Sequence, residues 1–171
     1  MKTHTRIASL LVIIFSIILI STSSFAQTKD QKKAAKAEKI KTAVESKQYV
    51  FVAQTMIPIG FRSRQVTTPY DVSVFGDSLI SYLPYMGRAY NASYGSTDSP
   101  LSFTSTQFDY SKTDRKKGGW DVVIKTKDIT ADTYTYQLTI YDNGSAYLQV
   151  SGNNRQSISF DGYVTPRKTK K

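Results

Sequence analysis

The 171-residue sequence has no cysteine, and its one histidine is His4. Without thiols there is no disulfide to staple the fold and no thiolate nucleophile, so stability has to come from burial. The lipid-attachment signals that modify cysteine are excluded for the same reason. Beyond residue 26 there is no histidine either, which removes Ser-His-Asp and Cys-His triads and the usual zinc and haem ligand sets. Glutamate is absent after Glu45, leaving carboxylate chemistry in the rest of the chain to aspartate. No motif calls for a cofactor or a metal: DxDxDG-like calcium spacing is missing, and no SxxK occurs after residue 26.

What is present begins with Lys2 and Arg6, then 14 uncharged residues (7–20), then small and polar residues with Ser24 and Ala26 where a signal peptidase reads. This pattern predicts a secretory signal peptide over residues 1–26, cleaved after Ala26. The apolar run falls short of the roughly 20 residues that span a bilayer. The expected product is an exported chain, periplasmic or extracellular, soluble, and without a transmembrane segment. Two of the 23 basic residues and none of the 13 acidic ones precede Gln27, so 21 against 13 leaves a net charge of +8. Export argues against nucleic acid as a partner. Anionic lipid and acidic glycan remain, and peripheral membrane contact through a basic helix and tail stays open. Charge runs of this kind are more often solvated faces than docking sites.

Residues 30–47 are rich in Ala, Lys and Glu, which favours a helix whose thin apolar stripe is Ala37, Ile40, Ala43 and Val44. After Lys47 the composition turns to β-branched and aromatic residues punctuated by turn formers, the signature of an all-β domain. Strands are expected at residues 49–57, near 62–68, and on either side of a Gly76-Asp77 turn of type II′ that sets Val74 opposite Leu79. That register gathers Tyr70, Val72, Val74, Leu79 and Leu83 on one face. Phe75, Ile80 and Tyr82 fall on the other, which should also be covered or bound. Residues 85–100 read as a long surface connection, and 101–110 as a strand interrupted by a bulge. Residues 111–119 read as a basic loop ahead of a strand at 120–125. At Asp142-Asn143-Gly144, a three-residue bulged turn pairs Ile140 with Ala146, Leu138 with Leu148 and Tyr136 with Val150. A last strand covers 157–164, and the sequence TPRKTKK should fray. The predicted organisation is a signal peptide (1–26), a leader helix (27–47), one β-rich domain (48–166) and a basic tail (167–171). The fold class is mainly β: an antiparallel sandwich or flattened barrel of about eight strands with one N-terminal α-helix. A barrel would enclose an interior cavity and favour small apolar ligands.

Asp77 and Asp161 adjoin glycine, Asp142 lies two residues before one, and all three read as turn residues, whereas Asp71, Asp109 and Asp121 lie in or beside strands and could flank a cleft. No spacing marks a catalytic pair. Asn91 and Asn143 match the N-glycosylation pattern but are more simply turn chemistry. The strongest binding candidate is the group Tyr82, Tyr85, Arg88, Tyr90 and Tyr94, with Arg155 a second arginine of the same kind. Tyrosine offers an apolar ring with a hydroxyl, and arginine stacks on rings or grips carboxylate and phosphate in a fork. The plainer reading is that these tyrosines cover the end of a sheet while Arg88 pairs with an aspartate.

The leader helix, FGDSLISYLPYMGRAY, the following DSPLSF, the basic loop ending KKGGW, and NGSAYLQVSGNNRQSISFDGYV together resemble the domain-of-unknown-function family 4251, exported proteins of Bacteroidota. The resemblance covers nearly the whole chain after the signal peptide. It implies a bacterial cell-envelope setting and a single β-rich domain, and it carries no catalytic residue. Three readings result. The first is a non-enzymatic module binding an envelope ligand: a glycan, a peptide or a lipid head group. The second is an aspartate-dependent hydrolase acting on glycan, and the third a lipid-associated structural or assembly factor.

Overall fold

The computed structural model describes residues 29–90, 99–130 and 132–167. By contacts the chain divides into residues 1–32, of which only the first turn of a helix is described, and Lys33–Lys171, which holds everything else.

That helix, α1, spans Lys29–Glu45. Its described lysines and glutamates face water, while the predicted stripe is buried at Ile40, Ala43 and Val44 and half-buried at Ala37. Ile40 packs on Gly144, where a Cβ would sit 3.4 Å from its Cδ1. The helix ends at Glu45, and two residues on comes Lys47, whose φ of 52° makes it the one non-glycine residue with positive φ among the described residues. The left-handed residue turns the chain directly into the first strand, the geometry that ends many helices.

Ten strands follow among the described residues: β1 (Gln48–Pro58), β2 (Arg64–Gln65), β3 (Asp71–Phe75), β4 (Ser78–Tyr82), β5 (Ser102–Ser105), β6 (Phe108–Asp114), β7 (Trp120–Thr126), β8 (Tyr134–Ile140), β9 (Ser145–Gly152) and β10 (Ile158–Pro166). All belong to one antiparallel sheet in the order β5-β4-β3-β1-β10-β9-β8-β7-β6, with β2 added against β1. One continuous sheet curled almost shut is a flattened barrel, so the sandwich alternative falls. Both predicted hairpins hold. Val74 pairs with Leu79 across Gly76-Asp77, with Gly76 at φ 55°. Ile140, Leu138 and Tyr136 pair with Ala146, Leu148 and Val150 across a turn in which Gly144 has φ 83°. Asn143 tightens that turn by accepting from the backbone N–H of Ser145 at 2.9 Å.

The strand ladder departs from expectation in two places. Residues 101–110 are not one bulged strand but the seam of the barrel, because β5 pairs with β4 and β6 pairs with β7, at opposite borders of the sheet. Thr106 and Gln107 form the corner, and their N–H groups donate to the Asp128 carboxylate at 2.7 and 3.2 Å. Ser105 adds its hydroxyl to the same carboxylate. Strand β6 then runs on to Asp114, through residues read from sequence as loop. At the other end, Thr165 and Pro166 continue β10 against Val50 and Tyr49, and Arg167 N–H donates to the Gln48 carbonyl at 3.2 Å. Those three residues are therefore held rather than frayed.

The barrel interior is filled. Phe103 of β5 stacks on Tyr134 of β8 with centroids 5.2 Å apart, and the Tyr136 hydroxyl donates to Ser81 of β4 at 2.9 Å. These contacts join non-neighbouring strands and press the barrel flat. Between Tyr49, Phe51, Val72, Val74, Ile124, Tyr136, Leu138 and Leu148 the residual void is about 10 Å³. The interior cavity expected of a barrel is thus closed by aromatic side chains, and with it goes the argument for a small apolar ligand held inside.

Candidate functional site

Opposite the Gly144 end of the β8–β9 hairpin, two stretches far apart in sequence are fastened together. Residues Ala89 and Arg155 form an isolated antiparallel bridge. It is flanked by Gln156 N–H donating to the Arg88 carbonyl at 2.9 Å and Tyr90 N–H donating to the Asn154 carbonyl at 2.8 Å. The Tyr85 hydroxyl donates to the Gln156 carbonyl at 2.9 Å, with the Arg88 carbonyl at 3.0 Å as its alternative acceptor. The Arg155 guanidinium lies 5.7 Å from the centre of the Tyr85 ring. Burial raises the Tyr85 hydroxyl above its ordinary pKa, and the positive charge of Arg155 works against the shift.

This end of the barrel has a base that the sequence did not single out. Asp132 is buried, and its carboxylate accepts from the N–H groups of Thr133 (2.8 Å), Asn153 (2.8 Å) and Asn154 (3.1 Å). It thereby clips the turn that carries Arg155. Gly152 is needed beside it, since a Cβ there would fall 2.5 Å from the carboxylate. Tyr134 is half of the same base. Its hydroxyl is raised chiefly by burial and further by Asp132, and a hydrogen bond and the charge of Arg155 oppose this. An aspartate followed by a hairpin and a GNN turn is visible in sequence. That the two meet is a matter of register, fixed when Tyr134 pairs with Gly152.

The structure therefore brings together Tyr85, Arg88, Tyr90 and Arg155. Tyr85 and Arg155 are tied to neighbours, whereas Arg88 is exposed and Tyr90 is 68% exposed. Tyr82 does not join them through any ring contact; it stands on the outer face of β4 with its ring 5.2 Å from Tyr70. Tyr94 and Asn91 lie outside the described residues. The outer face carrying Tyr82 is not covered as expected, with Phe75 46% and Ile80 38% exposed. Arg167 lies against this face, its guanidinium 4.3 Å from the Phe75 ring centre.

Two of the three strand aspartates are occupied separately. Asp109 pairs with Lys127, while Asp121 lies 3.6 Å from Arg115 and accepts from the Thr139 hydroxyl at 2.8 Å. Asp71 is raised above the ordinary carboxylate range by burial. Among the described residues no three His, Cys, Asp or Glu side chains gather as a metal site would need. Two larger grooves lie elsewhere. One of about 590 Å³ runs between α1 and the end of β10, lined by Ala35, Lys39, Thr42, Pro166 and Arg167. The other, about 430 Å³, lies at the seam between Lys47 and Asp77 on one side and residues 106–110 on the other.

The sequence matches the family described as a domain of unknown function, DUF4251, over residues 31–164. The chain belongs to the DUF4251 family. A crystal structure of a DUF4251 family protein from Bacteroides eggerthii DSM 20697 is similar to it, with a TM-score of 0.58 and 18% identity, covering 78% of this chain and 91% of that one. At that identity the likeness speaks for the fold, and the DUF4251 description names no activity. No curated protein matches the chain. Among the described residues of this DUF4251 member, no helix is long and apolar enough to cross a membrane.

Proposed function

We propose that this DUF4251 protein is an exported, non-enzymatic β module of the bacterial cell envelope that binds an acidic ligand at the Tyr85–Arg155 end of its barrel. The observation that carries the reading is the pairing of residues 88–90 with 154–156, which holds an exposed arginine and a 68% exposed tyrosine on a fixed backbone. A backbone fixed beforehand removes part of the ordering cost of binding. Arg88 supplies a fork for a carboxylate or phosphate, and Tyr90 a ring for the apolar body of a sugar, a peptide terminus or a lipid head group. Export rests on the signal-peptide pattern of residues 1–26. The hydrolase reading is weaker, because Asp109 and Asp121 are each engaged by a separate cation.

A thermal-shift screen of residues 27–171 against envelope glycans, peptides and lipids, with Arg88→Ala alongside, tests this reading. A ligand that binds only the folded state raises the melting temperature, and that rise should vanish in the variant. A hit that survives Arg88→Ala moves the site away from this end. No hit at all, with an Arg88→Ala variant that melts well below the parent, makes the cluster architecture.

A further inference from the structure

The strand register lines up one row of side chains across four strands. Tyr82 of β4 pairs with Asp71 of β3, Asp71 with Val52 of β1, and Val52 with Tyr163 of β10. Their chain neighbours Ser81, Val72, Phe51 and Val164 are buried in the core, so by strand alternation the row faces outward. Its two ends are the exposed ones, Tyr82 at 46% and Tyr163 at 40%. Three strand spacings separate these positions, about 14 Å along the sheet. Tyr70 packs on the core and holds its ring 5.2 Å from that of Tyr82. Between the tyrosines Asp71 is half-buried, and among the described residues no lysine or arginine pairs with it. At the Tyr163 end the row opens into a groove. Val66 N–H donates to the Gln54 carbonyl and Ala53 N–H to the Tyr70 carbonyl, both at 2.9 Å, so the chain is pinned to β1 on either side of residues 67–69, which bulge out of the ladder. Thr67 and Thr68 of that bulge line a space of about 290 Å³ together with Gln54, Gln65, Val52 and Tyr163. Every polar side chain in its lining is an amide or a hydroxyl, and none is charged.

We propose that this outer face binds an uncharged oligosaccharide laid across the strands from Tyr163 to Tyr82. A sugar ring is apolar on its faces and ringed by hydroxyls at its edge, so it needs an aromatic platform below and hydrogen-bonding groups beside it. The two tyrosines are the platforms. The amides and hydroxyls of the groove serve the sugar edge at Tyr163, and the Asp71 carboxylate accepts from sugar hydroxyls between the platforms in charge-assisted bonds. Asp71 also decides the class of ligand: a carboxylate in the middle of the row repels uronates, phosphates and anionic lipid head groups. Platforms so far apart call for a ligand longer than one sugar. The site is distinct from the Arg88 end of the barrel and takes a ligand of the opposite charge character.

The experiment probes an array of neutral and acidic oligosaccharides built from glucose, mannose, galactose, xylose and uronic acids with the purified protein, and measures each hit by titration calorimetry on variants. Neutral chains of two or more sugars should bind and acidic ones should not. Tyr82→Ala and Tyr163→Ala should each weaken a neutral hit about tenfold, the loss expected when an aromatic anchor is truncated. Tyr82→Phe keeps the ring and should bind like the parent, as should Arg88→Ala, which separates this site from the acidic-ligand end. Amide chemical shifts of the parent should move at Val52, Asp71, Tyr82 and Tyr163 when the sugar is added, a readout that stands even if an alanine variant melts early. The proposal is overturned if no neutral oligosaccharide binds, if only acidic ones do, if binding is indifferent to both tyrosines, or if the shifts appear instead at Arg88 and Tyr90.

Discussion

The middle of the sheet and its seam are closed by different means. Strands β1 and β10 are paired from Tyr49–Pro166 to Pro58–Ile158, and Tyr49, Phe51 and Phe160 on their inner face are completely buried. Their approach is close enough that a Cβ at Gly162 would lie 2.0 Å from the Val52 carbonyl. At the seam, β5 and β6 share no ladder. They are joined by two corner residues and one carboxylate, and β6 is tied back to β1 by a hydroxyl contact of 3.4 Å between Tyr49 and Tyr110. The barrel is thus over-determined at its centre and lightly fastened at its border. The sharpest test of this contrast is Phe160→Ala, expected to cost about 3–5 kcal/mol through lost burial and an unfilled cavity. Urea unfolding checks it, and a loss under about 1 kcal/mol would mean that the centre is not what holds the fold.

Acid and alkali should separate the two regions. Hydrogen bonds from Ser105 and from the backbone at Thr106 hold the Asp128 carboxyl below its ordinary pKa. An unfolded aspartate titrates near about 3.9. A lowered folded pKa stabilises the corner fully above that value and loses the stabilisation as pH falls through the folded pKa. Amide exchange, corrected for its intrinsic pH dependence, should therefore show Thr106 and Gln107 losing protection on acidification while β1 and β10 keep theirs. The centre has the opposite sensitivity. Burial raises the hydroxyls of Tyr49 and Tyr136 well above the ordinary tyrosine value near about 10. Their contribution is complete below that value and lost as pH rises toward the folded pKa. Alkaline unfolding should thus be global, and it should shift to higher pH in Tyr136→Phe if that hydroxyl drives it.

The same contrast explains what the sequence disclosed. The Gly76-Asp77 and Asn143-Gly144 hairpins could be read because turn chemistry and period-two burial are local and mutually constraining, down to the pairing of Leu138 with Leu148. The phase shift within residues 101–110 was equally visible, but a bulge and a corner leave the same local pattern. What decides for the corner is Asp128, some 20 residues downstream and reaching back to Thr106. The end of β10 escapes local reading for a similar reason. Pro166 and the lysines after it look like a tail, and only the register with Tyr49 reveals that Thr165 and Pro166 are part of the sheet. Tyr85, Arg88 and Arg155 could each be picked out by type, but their meeting depends on Asp132 holding the turn that carries Arg155.

The smallest effect comes from a contact that crosses the barrel without adding to any ladder. The Tyr136 hydroxyl donates to Ser81, and Ser81 donates in turn to the Leu101 carbonyl at 2.7 Å, so a buried relay ties β8 through β4 to the residue leading into β5. Tyr136→Phe keeps the ring, and Ser81 keeps its acceptor, so the cost is one neutral hydrogen bond, about 1 kcal/mol. If the relay serves only packing, the loss should appear evenly in global unfolding. If it steadies the border, amide exchange at β5 and at the Thr106–Gln107 corner should quicken more than that loss accounts for, while β1 and β10 follow the global value. The second outcome would mean that the lightly fastened seam is held partly from across the core, and that its looseness is limited by Ser81 rather than by Asp128 alone.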